Sequence, residues 1–265
     1  MIPLTFTAQT IGHLAATKQG DRPQGGACLI APAGEHPYLL VMASGDEAIR
    51  TYAQSGGGSF SLVPSAQTGL VASGTGVACT VGDFDNDGLP DVAVAMSDRV
   101  LLFMNHGGGK FTDVTGAAGV QPANQPAGIT FVDYDHDGDL DLLITEADGP
   151  ARLLRNDNGN RNDMLRVKLV GTRSNRDGIG AKLTLQVNSH LRLLRMAKSG
   201  SGYLSQSEFP VTFGLGKPDP TRRMGLTIVW PSGQKDAVAN IKPNQSITVQ
   251  EGKGIVASRV IVFQR

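Results

Sequence analysis

Asp83-Phe84-Asp85-Asn86-Asp87-Gly88-Leu89-Pro90-Asp91 returns fifty residues later as Asp133-Tyr134-Asp135-His136-Asp137-Gly138-Asp139-Leu140-Asp141. Each copy carries a carboxylate at positions one, three, five and nine and glycine at six. Alternate side chains on a tight loop converge on one point, and the main-chain carbonyl at position seven (Leu89, Asp139) adds a further oxygen. A hard, all-oxygen shell of this kind suits calcium, so two Ca2+ sites are expected. Neighbouring carboxylates a few ångströms apart repel by about 4 kcal/mol per pair at an effective dielectric near 20, and a cation offsets that repulsion. An EF-hand loop also starts Asp-x-Asp-x-Asp-Gly, but it needs glutamate at position twelve, where this chain has Val94 and Ile144. The flanks are strand-like, so each loop is expected to join two strands.

The loops sit in a longer repeat. Ala27-Cys28-Leu29-Ile30-Ala31 aligns with Ala78-Cys79-Thr80-Val81-Gly82, Leu39–Ala43 with Pro90–Val94, and Ala48–Tyr52 with Arg99–Phe103. Gly56-Gly57-Gly58-Ser59-Phe60 then matches Gly107-Gly108-Gly109-Lys110-Phe111, and a third copy runs from Gly128 to Asn156. A period of about fifty residues is the size of a four-stranded propeller blade. The first copy has Pro32-Ala33-Gly34-Glu35-His36 in place of the aspartates and is expected to bind no metal. Phe6 to Gly12 reads as the tail of a blade that begins elsewhere.

A polar, turn-forming run, Asn156–Asp163, marks a boundary, giving blades over 1–158 and a second domain over 159–265. Beyond it strands alternate apolar with basic or polar residues, as in Met164-Leu165-Arg166-Val167-Lys168-Leu169-Val170. Alternation implies one wet and one buried face, hence a small antiparallel β-sandwich. The fold class is therefore all-β, a partial propeller of about three blades followed by the sandwich.

Net charge is zero, yet residues 1–160 hold 7 Lys+Arg against 18 Asp+Glu, a formal −11, and residues 161–265 hold 17 against 6, a formal +11. Nine of the eighteen acids lie in the two loops. The basic half shows no run interleaved with aromatics, so nucleic acid is not an expected partner, and docking against the acidic half or scattered solvated charge accounts for it better. Cys28 and Cys79 fall at one repeat phase and are read as two small buried hydrophobes rather than a bridge. No segment is long and apolar enough to span a bilayer, and Met1 to Gly20 lacks the pattern of an export signal.

The Asp-x-Asp-x-Asp-Gly-x-x-Asp loops at blade spacing resemble the FG-GAP/VCBS repeats of integrin α-subunit propellers and many secreted bacterial proteins. Four ordered motifs in the second half, Gly171–Ala181, Gly202–Ser207, Phe213-Gly214-Leu215-Gly216 and Trp230-Pro231-Ser232-Gly233, resemble the ASPIC/UnbV domain of the cartilage acidic protein 1 family. The resemblance implies an extracellular or periplasmic, non-enzymatic interaction or adhesion module with an unidentified protein or glycan partner. Family propellers have about six or seven blades, so three suggest N-terminal truncation, self-association through open blade edges, or a fold that is not a ring. The competing reading is a calcium-dependent polysaccharide-active enzyme or carbohydrate binder, with Tyr203, Gln206 and Arg195 lining a groove; strand packing is the simpler role for those three.

Weaker signals resolve toward structure. Gly178-Ile179-Gly180 lacks the third glycine of a phosphate loop and reads as a tight turn, with Ser174-Asn175-Arg176 capping it. His13, His36, His106, His136 and His190 are scattered, so no catalytic residue is assigned. Trp230 reads as core, and Asn244-Gln245-Ser246 is a glycosylation sequon of a kind that arises easily by chance.

Overall fold

The computed structural model describes residues 26–30, 39–43, 49–54, 59–120, 125–147, 149–157, 161–200 and 205–261. The expected blade tail at Phe6–Gly12, the loop Pro32–His36, Tyr203 and the 158/159 boundary lie outside them. The first sheet runs β1 (Ala27–Ile30), β2 (Leu39–Ala43), β3 (Ile49–Gln54) and β4 (Phe60–Val63), in that order across the sheet. After a single-turn helix, α1 (Ser65–Thr68), the second sheet repeats the order with β5 (Gly76–Gly82), β6 (Asp91–Met96), β7 (Val100–Asn105) and β8 (Phe111–Asp113). The third holds β9 (Pro126–Val132), β10 (Asp141–Glu146) and β11 (Arg152–Leu154). All neighbours pair antiparallel, so the expected three blades of a propeller-type fold are present.

Sheet stacking explains why the middle blade is so apolar. All six residues of β6 are buried. Its Val92, Val94 and Met96 enter the core shared with the first sheet, beside Cys28, Ile30, Ile49, Leu70 and Phe103. Ala93 and Ala95 face the third sheet, where Ile129, Phe131, Leu142 and Ile144 meet them. Small residues on that face let the sheets approach closely. At Gly82 a β-carbon would lie 2.7 Å from the Phe131 ring. A strand buried on both faces reads as a continuous apolar run, which is what Val92–Met96 shows.

The cysteine expectation is corrected. Cys28 and Cys79 form a disulfide, with Cα atoms 5.9 Å apart. Both residues are buried, as expected, but equal repeat phase on strands of adjacent sheets brings equivalent positions face to face within bridging reach.

The second half contains β12 (Asp163–Val170), β13 (Lys182–Gln186), β14 (Arg192–Met196), β15 (Val211–Gly216), β16 (Met224–Val229), β17 (Lys235–Ile241), β18 (Gln245–Gln250) and β19 (Gly254–Val260). They form two four-stranded sheets, β15-β12-β18-β19 and β14-β13-β16-β17, around one core that includes Leu165, Val167, Leu185, Phe213, Ile228, Trp230 and Ile247. The sandwich is not wholly antiparallel, because β12 and β18 pair parallel. Nor is the alternate face of β12 wet throughout: Lys168 is exposed, but Arg166 is only 5 % exposed, because the blades cover it.

Glu251 ties the sandwich ends together. Its Oε2 accepts the N–H groups of Thr172, Arg173 and Ser174 at 2.8 Å each, and its Oε1 accepts the hydroxyls of Ser174 and Ser232. This joins the 171–176 loop, the Pro231–Gly233 turn and the β18–β19 turn around one carboxylate. Asn175 closes the adjoining turn, accepting from Ile179 N–H and donating to its carbonyl, both at 2.8 Å. Gly178 and Gly180 there take φ of 65° and 93°. The turn reading of this segment is the observed one.

Two outcomes follow from these contacts. Replacing both Cys28 and Cys79 with serine, or adding reductant, should lower the melting temperature; a chain-entropy treatment of the 51-residue separation gives about 4 kcal/mol as a ceiling. An unchanged calorimetric melt would refute a stabilising bridge. Burial raises the Glu251 carboxyl, but the Ser232 hydroxyl and the Ser174, Thr172 and Arg173 N–H groups outweigh it and hold it well below the usual carboxylate range. A depressed folded value contributes stability that is fully present above the unfolded value of about 4.3 and lost as pH falls toward the folded one. Glu251→Gln should therefore melt lower at pH 7 and show a shallower decline below pH ~4 than the parent; parallel acid limbs would exclude this role.

Candidate metal centre

Loop 83–91 joins β5 to β6 and loop 133–141 joins β9 to β10. Their backbones match. Asn86 and His136 at position four take φ of 57° and 62°, and Gly88 and Gly138 at position six take 98° and 100°. Glycine meets the left-handed demand at position six without steric cost, and Asn and His are among the side chains that tolerate it at four.

Hydrogen bonds within the loops also repeat. Position three accepts the N–H of position five (Asp87 N to Asp85 Oδ1, 3.1 Å; Asp137 N to Asp135 Oδ1, 3.4 Å). Position five accepts the N–H of position seven (Leu89 N to Asp87, 2.7 Å; Asp139 N to Asp137, 3.2 Å). Position nine is the anchor. Asp91 accepts Phe84 N–H at 3.0 Å and Asn105 N–H at 2.8 Å, and Asp141 accepts Tyr134 and Asn156 N–H at the same two distances.

Of the ten predicted ligand positions, the structure gathers two tight groups. Carboxylate oxygens of Asp83, Asp85 and Asp91 lie within 4.8 Å of one another, as do those of Asp133, Asp135 and Asp141. Asp87 and Asp137 lie outside these groups of three and serve as turn acceptors. Val94 and Ile144 at position twelve are fully buried in the sheet cores, which disposes of the EF-hand geometry.

The loops are electrostatically expensive. Burial pushes the Asp83 carboxyl up to about 7, against the pull of Arg195, and Asp91 well above its ordinary value, with Asp83 adding to it. Burial also lifts Asp87 to about 6, Asp141 to about 6, and Asp85 and Asp133 in the same direction. Asp83 is 4 % exposed, and its Oδ1 has no hydrogen-bond partner among the described residues. A buried, unpaired carboxylate oxygen beside two further carboxylates is a donor set suited to a hard cation.

The sequence signalled the aspartates but not the residues that hold them. Asn86 Nδ2 donates to Gly138 carbonyl at 3.0 Å, and Asn156 Nδ2 donates to Phe84 carbonyl at 2.7 Å and Leu140 carbonyl at 3.2 Å, so the two loops brace each other. Asn162 reaches Asp85 carbonyl at 2.8 Å. From the second half, Arg166 pairs with Asp133 and Glu208, and Arg195 Nη2 lies 3.6 Å from Asp83 Oδ2. Asn105 and Asn156 share a repeat phase, a usable clue; Arg166 and Arg195 carry no local signal. Arg195 faces the metal loop and stacks over Phe213 at 5.8 Å from the ring centroid. Asn244 is engaged by Met164 N–H at 3.0 Å and Asp163 at 2.7 Å.

Family models match at two places. The FG-GAP-like repeat covers residues 36–94 and 83–144, overlapping at the first aspartate loop, and ASPIC and UnbV covers 171–256. The chain carries FG-GAP-like repeats and an ASPIC and UnbV domain. Cartilage acidic protein 1 of Homo sapiens is 30 % identical over 164 residues, covering 57 % of this chain and 24 % of that protein. The Mus musculus protein of the same name is 29 % identical over 164 residues, 57 % and 25 %, and that of Xenopus tropicalis 32 % over 117 residues, 43 % and 18 %. The chain thus spans about a quarter or less of these relatives. Both matched FG-GAP-like segments contain the 83–91 loop, and the Glu251 contacts fall inside the ASPIC and UnbV match.

The hydrogen bonds separate two roles for the aspartates. Asp91→Ala should cost about 2–4 kcal/mol even in chelator, because it strands two N–H groups in a buried setting. Asp85→Ala should cost under about 1 kcal/mol in chelator, since the carboxylate it removes is half exposed and accepts one loop N–H. Denaturant melts of both variants check this, and equal losses would refute the division.

Proposed function

We propose that the chain is a calcium-stabilised, non-enzymatic extracellular interaction module. The observation that carries this is the pair of matched loops, each converging three carboxylates on one point, the first with a buried Asp83 oxygen that has no partner among the described residues. Asp83, Asp85, Asp87 and Asp91, and Asp133, Asp135, Asp137 and Asp141, would hold two calcium ions, with the carbonyls of Leu89 and Asp139 completing the shells. The ion would supply charge neutralisation and stiffness. Oxygen-only donors on a flexible loop favour calcium over magnesium, which prefers a regular octahedral shell and retains its waters.

The disulfide supports an oxidising compartment, and the relatives' name, cartilage acidic protein, fits a place outside the cell. Among the described residues no helix is long and apolar enough to cross a membrane. A non-enzymatic reading is supported by what the perturbed carboxylates do: they accept loop N–H groups or pair with arginines. The partner is a protein or glycan met through a surface away from the aspartates.

Calcium in hundred-fold excess over its dissociation constant should stabilise the chain by about 2.7 kcal/mol per site. For loops of this type that constant is on the order of 0.1–1 mM. A melting temperature that rises with calcium and falls with chelator is expected; one indifferent to both would sink the assignment.

A further inference from the structure

The first metal loop is covered by an edge strand. β15 ends its sheet among the described strands, so alternate N–H groups along its outer side have no described strand to bond. Loop 83–91 takes that place. Gly214 N–H donates to Asp83 Oδ2 at 3.2 Å, and Gly216 N–H donates to Asn86 carbonyl at 2.9 Å. Arg195 of β14 donates to Gly88 carbonyl at 3.2 Å. The approach is close enough that a β-carbon on Gly214 would overlap Asp83 Oδ2 and come within 2.5 Å of the Asn86 carbonyl carbon.

Asp83 is therefore shared. Its Oδ2 is occupied by Gly88 N–H at 3.1 Å from its own loop and by Gly214 N–H from the sandwich, while Oδ1 has no partner among the described residues. Two donors on one oxygen restrict rotation of the carboxylate and hold the other oxygen in one place. That is how outer-shell contacts raise metal affinity. Arg195 works the other way, since its charge offsets the loop without a cation and repels one that arrives. The second loop differs, because there the sandwich contributes the charged Arg166 to Asp133.

Resting on the calcium reading above, we infer that cation occupancy of loop 83–91 and docking of the β15 edge onto that loop favour each other, with the neutral N–H groups of Gly214 and Gly216 carrying the coupling. The sandwich is then a clamp on the first metal site, and the site is in turn a latch for the sandwich. Linkage makes the effect reciprocal.

Two measurements on the full chain test this, using calcium ions and a chelator as the only additions. Residue-resolved hydrogen exchange should show Gly88, Gly214 and Gly216 amides all better protected with calcium, whereas β13 and β16 amides in the sandwich interior hold steady. By calorimetry Gly214→Ala, a neutral wedge that leaves every carboxylate in place, should bind calcium on the order of ten-fold more weakly at one site. Gly116→Ala, with open space around it, should bind as the parent does. If calcium binds and protects Gly88 but leaves Gly214 and Gly216 unaltered, and Gly214→Ala keeps full affinity, the coupling is refuted and the metal sites stand. If calcium gives no binding heat and no change at Gly88, the metal reading is refuted and the coupling with it.

Discussion

A buried carboxylate shared between two parts of the chain sets the terms for this structure. Asp83 accepts from Gly88 within its own loop and from Gly214 in the sandwich, with Arg195 nearby. Asp133 is held by Arg166, which also pairs with Glu208. Carboxylates leave water only when paired, hydrogen-bonded or metal-bound, so the position-one aspartates draw the second half of the chain onto the first. The formal −11 and +11 of the two halves are partly settled at this contact.

That contact also solves an edge problem. An edge strand exposes unpaired N–H and C=O groups that invite pairing with another chain. The outer side of β15 is covered by the aspartate loop, and the loop's Asp83 and Asn86 find their partners on β15. Loop and strand each satisfy what the other leaves open. The two loops are themselves joined by Asn86 and Asn156, so loops and sandwich form one continuous hydrogen-bonded contact.

Much of the fold is legible in particular residues. The fifty-residue period, the glycine at position six and the position-nine aspartates placed the loops between strands, where they are found. The core assignment of Trp230 also read directly. The disulfide did not: whether two cysteines at one repeat phase bridge depends on how far apart adjacent sheets stack, which no local pattern states. Arg166 looked like a wet-face residue because alternation reports the two faces of one strand and is blind to a second layer laid over it. The parallel pairing of β12 with β18 has the same origin, since strand order follows chain connection through space.

By itself the sequence determined the local chemistry: which loops gather carboxylates, where the chain must turn left-handed, and which strand faces are apolar. These depend on residues a few positions apart, and side-chain periodicity and backbone sterics act at that range. Tertiary structure alone decided which oxygen of Asp83 is engaged, that Gly214 and Arg195 engage it, and that Cys28 meets Cys79. The Asp83 partners lie more than a hundred residues away, and the cysteines fifty-one. Contacts at such separation are set by how whole sheets stack, which is a property of the assembled fold.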